Sequence, residues 1–172
     1  FRRVLFRSYA ILGEVYLWKK EHDKAIAEQE KAIALSPNDA DQIAGLGGIL
    51  TWAGRPDETL ELVKKAMRLN PMYPIEYLWN LGHANFLLGR HEEAIEALTR
   101  IRDRNPDYFP AHAYLTASYS ELGWEEEART EAAEFKRLSP ETSVEAWRQR
   151  LPYKEAAVLE RFLSSLRKAG LK

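Results

Sequence analysis

The chain has 172 residues, 30% of them charged, and a formal net charge of −1. No apolar run approaches the roughly 18 residues that a membrane span needs, and a charge this close to zero does not favour nucleic acid as a partner. The chain has no cysteine, which excludes disulfides and thiolate metal sites.

In chain order, residues 1–8 come first. Arg2 to Ser8, reading RRVLFRS, resemble the translation of a common sequencing-adapter oligonucleotide. Such a scar is set apart from fold reasoning, and the native protein is then expected to begin further upstream. The alternative is a genuine amphipathic helix start, with Phe6 packing on Tyr9.

A helical stripe follows: Tyr9, Leu12-Gly13 and Tyr16 recur at the spacing of one helix face. Lys20 stands where a left-handed cap is wanted, Asp23 to Leu35 reads as a second helix, and Pro37 ends it. The same sentence is then repeated. Ile43, Leu46-Gly47 and Leu50 lead to Gly54, the helix Asp57 to Leu69, and Pro71. Leu78, Leu81-Gly82 and Asn85 (with Phe86) lead to Gly89, Glu92 to Arg104, and Pro106. His112, Leu115-Thr116 and Tyr119 lead to Gly123, Glu125 to Leu138, and Pro140. The prolines fall 34, 35 and 34 residues apart, and so do the Leu-Gly or Leu-Thr pairs. Two registers with one period, sharing one slip near Pro74, define an array of repeated units.

Each unit has its own logic. Glycine inside a helix costs about 1 kcal/mol relative to alanine, so Gly13, Gly47 and Gly82 predict a neighbouring helix that comes unusually near. The second helices turn Ala25, Ala32, Ala66, Ala94, Ala128 and Ala132 inward. Their outer faces carry Glu61/Lys65, Glu96/Arg100 and Glu125/Arg129, each pair worth a few tenths of a kcal/mol. Asp39 and Asp107 stand where they would cap the next helix.

These positions resemble the tetratricopeptide repeat, a 34-residue helix-turn-helix unit with a W-x2-L-G-x2-Y…A-x3-F…P pattern. The likeness covers about Tyr9 to Pro140. The Leu-Gly, Ala and Pro positions are kept. No unit has the leading Trp, and Gln29, Val63, Leu98 and Ala132 fill the Phe position. The resemblance implies an all-α, right-handed superhelical solenoid of four units, at about 6–39, 40–73, 75–108 and 109–142, with capping helices over 143–172.

In this family the first helices line a concave groove. With the packing stripe fixed, the flank left for the groove is Glu14, Leu17, Trp18, then Ala44, Gly48, Thr51, Trp52. Glu76, Trp79, Asn80, His83 and Leu87 follow, then Ala113, Tyr114, Ala117 and Glu121. Small residues beside aromatics suit a binding surface. The expected partner-binding residues are Trp18, Trp52, Glu76, Trp79, Asn80, His83, Tyr114 and Ala117. Trp18 and Trp52 either form a ladder along the groove or fill the junction between units. Family members that clamp acidic chaperone tails carry Lys, Asn and Arg here. This chain has Ala10, Glu14, Gly45, Glu76 and Asn80, so an apolar or basic partner is expected and an acidic one is not.

The tail breaks the period. Ser143 to Arg150 reads as a short helix, Pro152 interrupts it, and Leu159, Phe162, Leu163 and Leu166 make one apolar stripe before Gly170. A stack leaves its last apolar face open, so a cap is expected there in preference to a detachable partner-binding helix. The string LPYKEAAVLERFLSSLRKAGL also resembles the tails of repeat regions that follow bacterial class III adenylate or guanylate cyclase domains.

Enzyme motifs are not found. His91-Glu92-Glu93-Ala94 lacks a zinc protease's second histidine, and Gly45, Gly47 and Gly48 lie within a helix rather than after a strand. His22 and His91 are expected in solvated loops, and His112 partly buried. The expected function is therefore a non-catalytic, cofactor-free and metal-free interaction scaffold that binds a protein or peptide in its groove. The alternative is the accessory C-terminal region of a larger signalling enzyme such as a bacterial nucleotide cyclase. Self-association through a Trp ladder is a third option. The expected compartment is the cytoplasm, with no nucleic-acid or membrane partner.

Overall fold

The protein is described by a computed structural model covering the backbone of residues 2–172 and the side chains from Phe6 onward. Among these residues there are ten helices and no strand. In chain order they are α1 (Arg2–Trp18), α2 (His22–Leu35), α3 (Ala40–Trp52), α4 (Pro56–Leu69) and α5 (Ile75–Leu87). Then come α6 (His91–Arg104), α7 (Phe109–Leu122), α8 (Glu125–Leu138), α9 (Val144–Arg150) and α10 (Ala156–Lys168). Residues 2–8 continue α1 as helix. The side chains of residues 1–5 lie outside the described set, and the origin expected for residues 1–8 rests on sequence alone.

The turns follow the backbone chemistry expected of them. Lys20, Gly54, Gly89 and Gly123 have φ of 62°, 81°, 73° and 75°. Of these, only Lys20 carries a Cβ into the left-handed region, at about 1–2 kcal/mol. Asp39 caps α3, accepting from the backbone N–H of Asp41 and Gln42 at 3.1 Å each. Asp107 does not cap α7. That helix begins at Phe109 with Tyr108 before it, so Asp107 stands one residue too early for its side chain to reach the first free N–H groups. Its carboxylate lies 3.8 Å from Arg137 instead.

Packing divides the chain into two units, with the boundary inside α5. The first holds residues up to Asn80 together with Pro152–Glu155. Here α1 packs on α2, α3 on α4, and α2 on α3. The glycines explain how close these helices come. A Cβ on Gly47 would meet Thr59 Cγ2 and Val63 Cγ2 at 3.3 Å, and one on Gly13 would meet the Ala25 carbonyl oxygen at 3.2 Å. Ala25, Ala32, Val63 and Ala66 are fully buried. Gln29, in the Phe position, is buried too, and its Nε2 donates to the Gln42 carbonyl at 2.9 Å. Leu12 departs from the expected stripe. It is exposed with Ile11 and Val15 on one face of α1.

His22 is not in a solvated loop. It is buried, and its Nε2 lies 2.7 Å from the Pro152 carbonyl oxygen. The tail thereby joins the first unit: Lys154 N–H donates to the Trp52 carbonyl at 3.0 Å, and the Tyr153 ring meets Trp52 edge-on at 4.6 Å.

The second unit holds Leu81–Leu151 and Ala156–Lys168 with the last residues to Lys172. Its centre is α7, buried at every position from Ala111 to Tyr119. A helix apolar or satisfied all round is enclosed on all sides, and α6, α8 and α10 each pack on it. His112 is fully rather than partly buried. Its Nδ1 lies 2.6 Å from Glu131 and its Nε2 2.8 Å from the Pro106 carbonyl oxygen, while Arg102 donates to Glu131 at 2.6 Å. Phe135 of α8 meets Trp147 of α9 edge-on at 5.1 Å, so α9 covers the last hairpin. His91 is half-buried against Phe86, at 5.5 Å between rings, and burial holds its imidazole below the ordinary range. On the surface, Arg129 pairs with Glu125 at 2.5 Å, whereas Glu61 pairs with Lys64 rather than Lys65.

Candidate partner-binding groove

In the first unit, α1, α3 and the start of α5 surround a cavity of about 460 Å3. Its floor is low because α3 offers Ala44, Gly45 and Gly48 to it. Asn80 sets the edge of that floor. Its Nδ2 donates to the Ala44 carbonyl at 2.8 Å, and a Cβ on Gly48 would lie 3.0 Å from its Oδ1. Alanine at Gly48 would therefore close the space that the amide oxygen faces.

The walls are aromatic. Trp18 is 58% exposed while Trp52 is only 8% exposed, and their ring centroids lie 6.5 Å apart at 48°. The ladder exists, but its two rungs differ: Trp52 is enclosed by Tyr153, whereas Trp18 remains open. Trp79 and Tyr77 complete the lining. The Tyr77 hydroxyl donates to Asp41 Oδ1 at 2.7 Å. Burial, and then the Asp41 carboxylate, push the Tyr77 phenol well above its ordinary range, so it stays a neutral donor.

The rim is acidic. Glu14, Asp41 and Glu76 are exposed along it, and among the described residues no lysine or arginine lines the cavity. Carboxylates beside indole faces favour a cation twice over, by charge and by the ring quadrupole.

Trp18, Trp52, Glu76, Trp79 and Asn80 line this groove, with Glu14, Leu17, Ala44 and Gly48. Thr51 does not. It is fully buried, donating to Thr59 Oγ1 at 2.9 Å. Asp41, Gly45 and Tyr77 were not among the expected partner-binding residues. Asp41 had a signal in the sequence, since it stands one repeat before Glu76. Tyr77 had none, because its side chain leans back across the repeat junction.

The second unit corrects the expectation of an open groove. His83, Tyr114 and Ala117 are buried, at 1%, 1% and 0% exposure. The occupant is α10. Phe162 stacks on Tyr114 at 4.4 Å, meets Phe86 edge-on at 5.8 Å, and stacks on Trp147 at 5.4 Å. Beneath it, the Tyr114 hydroxyl lies 3.4 Å from His83 Nε2. Burial pushes the His83 imidazole down to about 3, so it is neutral at physiological pH.

Among the described residues, no group of three or more His, Asp or Glu side chains could hold a metal ion. No helix among them is long and apolar enough to cross a membrane. Models of the tetratricopeptide repeat match residues 6–39 and 50–119, together more than half of the chain. The chain carries tetratricopeptide repeats.

Among curated tetratricopeptide relatives, the chain is 29% identical over 110 residues to "Small glutamine-rich tetratricopeptide repeat-containing protein 2" of Mycosarcoma maydis. That match covers 64% of this chain and 31% of the relative. It is 32% identical over 100 residues to "BBSome complex member BBS4" of Bos taurus, covering 58% of this chain and 19% of that one. The chain thus spans about a third or less of the length of these relatives. Among solved structures, that of MamA protein is 25% identical with a TM-score of 0.64, covering 96% of this chain and 90% of MamA. The structure of Pseudomonas aeruginosa pilF is 20% identical with a TM-score of 0.71, covering 99% of this chain and 79% of that chain. The tetratricopeptide fold is that of an interaction scaffold.

Proposed function

We propose that this tetratricopeptide array is a non-catalytic scaffold whose first unit holds a protein or peptide segment in the groove between α1, α3 and α5. The segment is apolar with basic side chains. The observation that supports this most is the pairing of an acidic rim (Glu14, Asp41, Glu76) with Trp18 and Trp79 over a floor without large side chains. A desolvated cation over an indole gains up to about 2 kcal/mol, and three carboxylates penalise an acidic tail.

The test uses fluorescent dodecapeptides of equal apolar content carrying Arg, Gln or Glu at the polar positions. Binding should fall from Arg to Gln to Glu, and Trp79→Ala should weaken it while helicity stays unchanged. Equal binding of the Glu peptide, or affinity untouched by Trp79→Ala, would refute the reading. The tail's likeness to cyclase-associated repeat regions supports a second use of the same groove, in which the segment held belongs to the same, longer polypeptide. A catalytic domain in the native upstream reading frame would support that version.

A further inference from the structure

The helix α10 is an unusual terminal element. The open end of the last hairpin is already met by α9, through Trp147 on Phe135. α10 lies elsewhere, on the groove side of α7, where a tetratricopeptide array offers its binding surface. Its contacts have the anatomy of an interface rather than of a core. At the centre is one aromatic anchor, Phe162, fully buried between Tyr114 and Trp147. Around it are Leu159, Leu163 and Leu166, also buried.

The rim is polar and paired. Arg161 donates to the Leu87 carbonyl at 3.1 Å, at the C-terminus of α5, where free carbonyls attract a cation. Ser165 donates to Glu121, and Lys168 lies 3.9 Å from the same carboxylate. The floor under the anchor is polar too, with His83 and Tyr114 buried there. A permanent core has little use for such a floor. A groove that exchanges occupants does, because each polar group can be met by water when the anchor leaves. The geometry is that of an amphipathic helix in a groove, read at i, i+3, i+4 and i+7.

We propose that the groove of α7 and the end of α5 is an amphipathic-helix-binding site which α10 fills in cis, and that a partner helix with the pattern Leu-x2-Phe-Leu-x2-Leu and a flanking basic residue takes its place. On its N-terminal side α10 follows the non-helical segment 151–155, and on its other side one backbone hydrogen bond, from Val144 N–H to the Lys172 carbonyl at 3.0 Å, holds it to the start of α9. The external ligand then competes with a segment at high effective concentration. Its apparent affinity is scaled by the fraction of molecules with the groove open.

The test uses a fluorescent peptide of residues 156–172, added in trans and followed by anisotropy. The hosts are the full chain, the full chain with Phe162→Ala, and the full chain with Phe162→Ala and Tyr114→Phe or Tyr114→Ala. The Phe162→Ala host should bind the wild-type peptide about tenfold tighter than the unaltered chain. Tyr114→Phe should keep that gain and Tyr114→Ala should remove it. A peptide carrying Phe162→Ala should not bind. Should Phe162→Ala cost the host its helicity, Arg161→Ala with Lys168→Ala, which loosens only the rim, replaces it with the same expected gain. Equal affinity for all hosts, absence of binding to the loosened hosts, or binding that survives Tyr114→Ala would overturn the proposal.

Discussion

Gly82→Ala tests the reason this array tolerates glycine within its helices. An ideal Cβ at Gly82 would stand 2.7 Å from Leu98 Cγ and 2.9 Å from Leu98 Cδ2. Carbon atoms prefer about 3.5–4.0 Å, so one of the two helices must move or Leu98 must leave its rotamer. Leu98 is fully buried in the Phe position of the repeat and has no free direction. Overpacking of this kind costs about 1–3 kcal/mol, while alanine regains about 1 kcal/mol of helix propensity. With the overlap close to 1 Å, the clash sits at the upper end, and a net loss of about 1–2 kcal/mol is expected. Urea unfolding followed by circular dichroism measures it. Leu98→Ala alone should cost about 2–5 kcal/mol. Combined with Gly82→Ala it should cost less than the sum, by about 1 kcal/mol or more, because the new methyl then faces emptied space. A Gly82→Ala chain as stable as the parent, or additive costs in the pair, would refute the close-packing argument.

Three further outcomes are expected. His83 titrates near 3 when folded and near 6.5 when unfolded, so between those values the unfolded chain binds the extra proton. Stability should therefore fall as pH drops from about 6.5 towards 3, by up to about 1.4 kcal/mol per pH unit; His83→Gln should flatten that slope, and an unchanged pH profile would count against it. Tyr114→Ala should cost about 3–5 kcal/mol in urea unfolding, as for other buried aromatics; a loss under 1 kcal/mol would contradict its enclosure by Phe162. Lys20→Gly should raise the thermal midpoint through relief of about 1 kcal/mol at a φ of 62°, and a lower midpoint would show that its side chain contributes more than its backbone costs.

The sequence alone determined the hairpins. Helix periodicity, glycine or Lys20 at the left-handed turns, and proline after each second helix are local physics, set within one unit of about 34 residues. Hence Asp39, the buried alanines and the close approach at Gly47 were all legible. The groove of the first unit was legible for the same reason, since the flank opposite the packing stripe is fixed once the stripe is read. Tertiary structure decided the rest. The stripe Leu159, Phe162, Leu163 and Leu166 announced a helix with one apolar face, but an apolar face carries no address: burial rewards any complementary surface equally. Only the folded chain puts that face over Tyr114, closing one groove, and brings Tyr153 against Trp52. The contacts of His22 with Pro152 and of Arg161 with Leu87 span 130 and 74 residues. No periodic pattern encodes such pairs, because their partners lie outside the repeat.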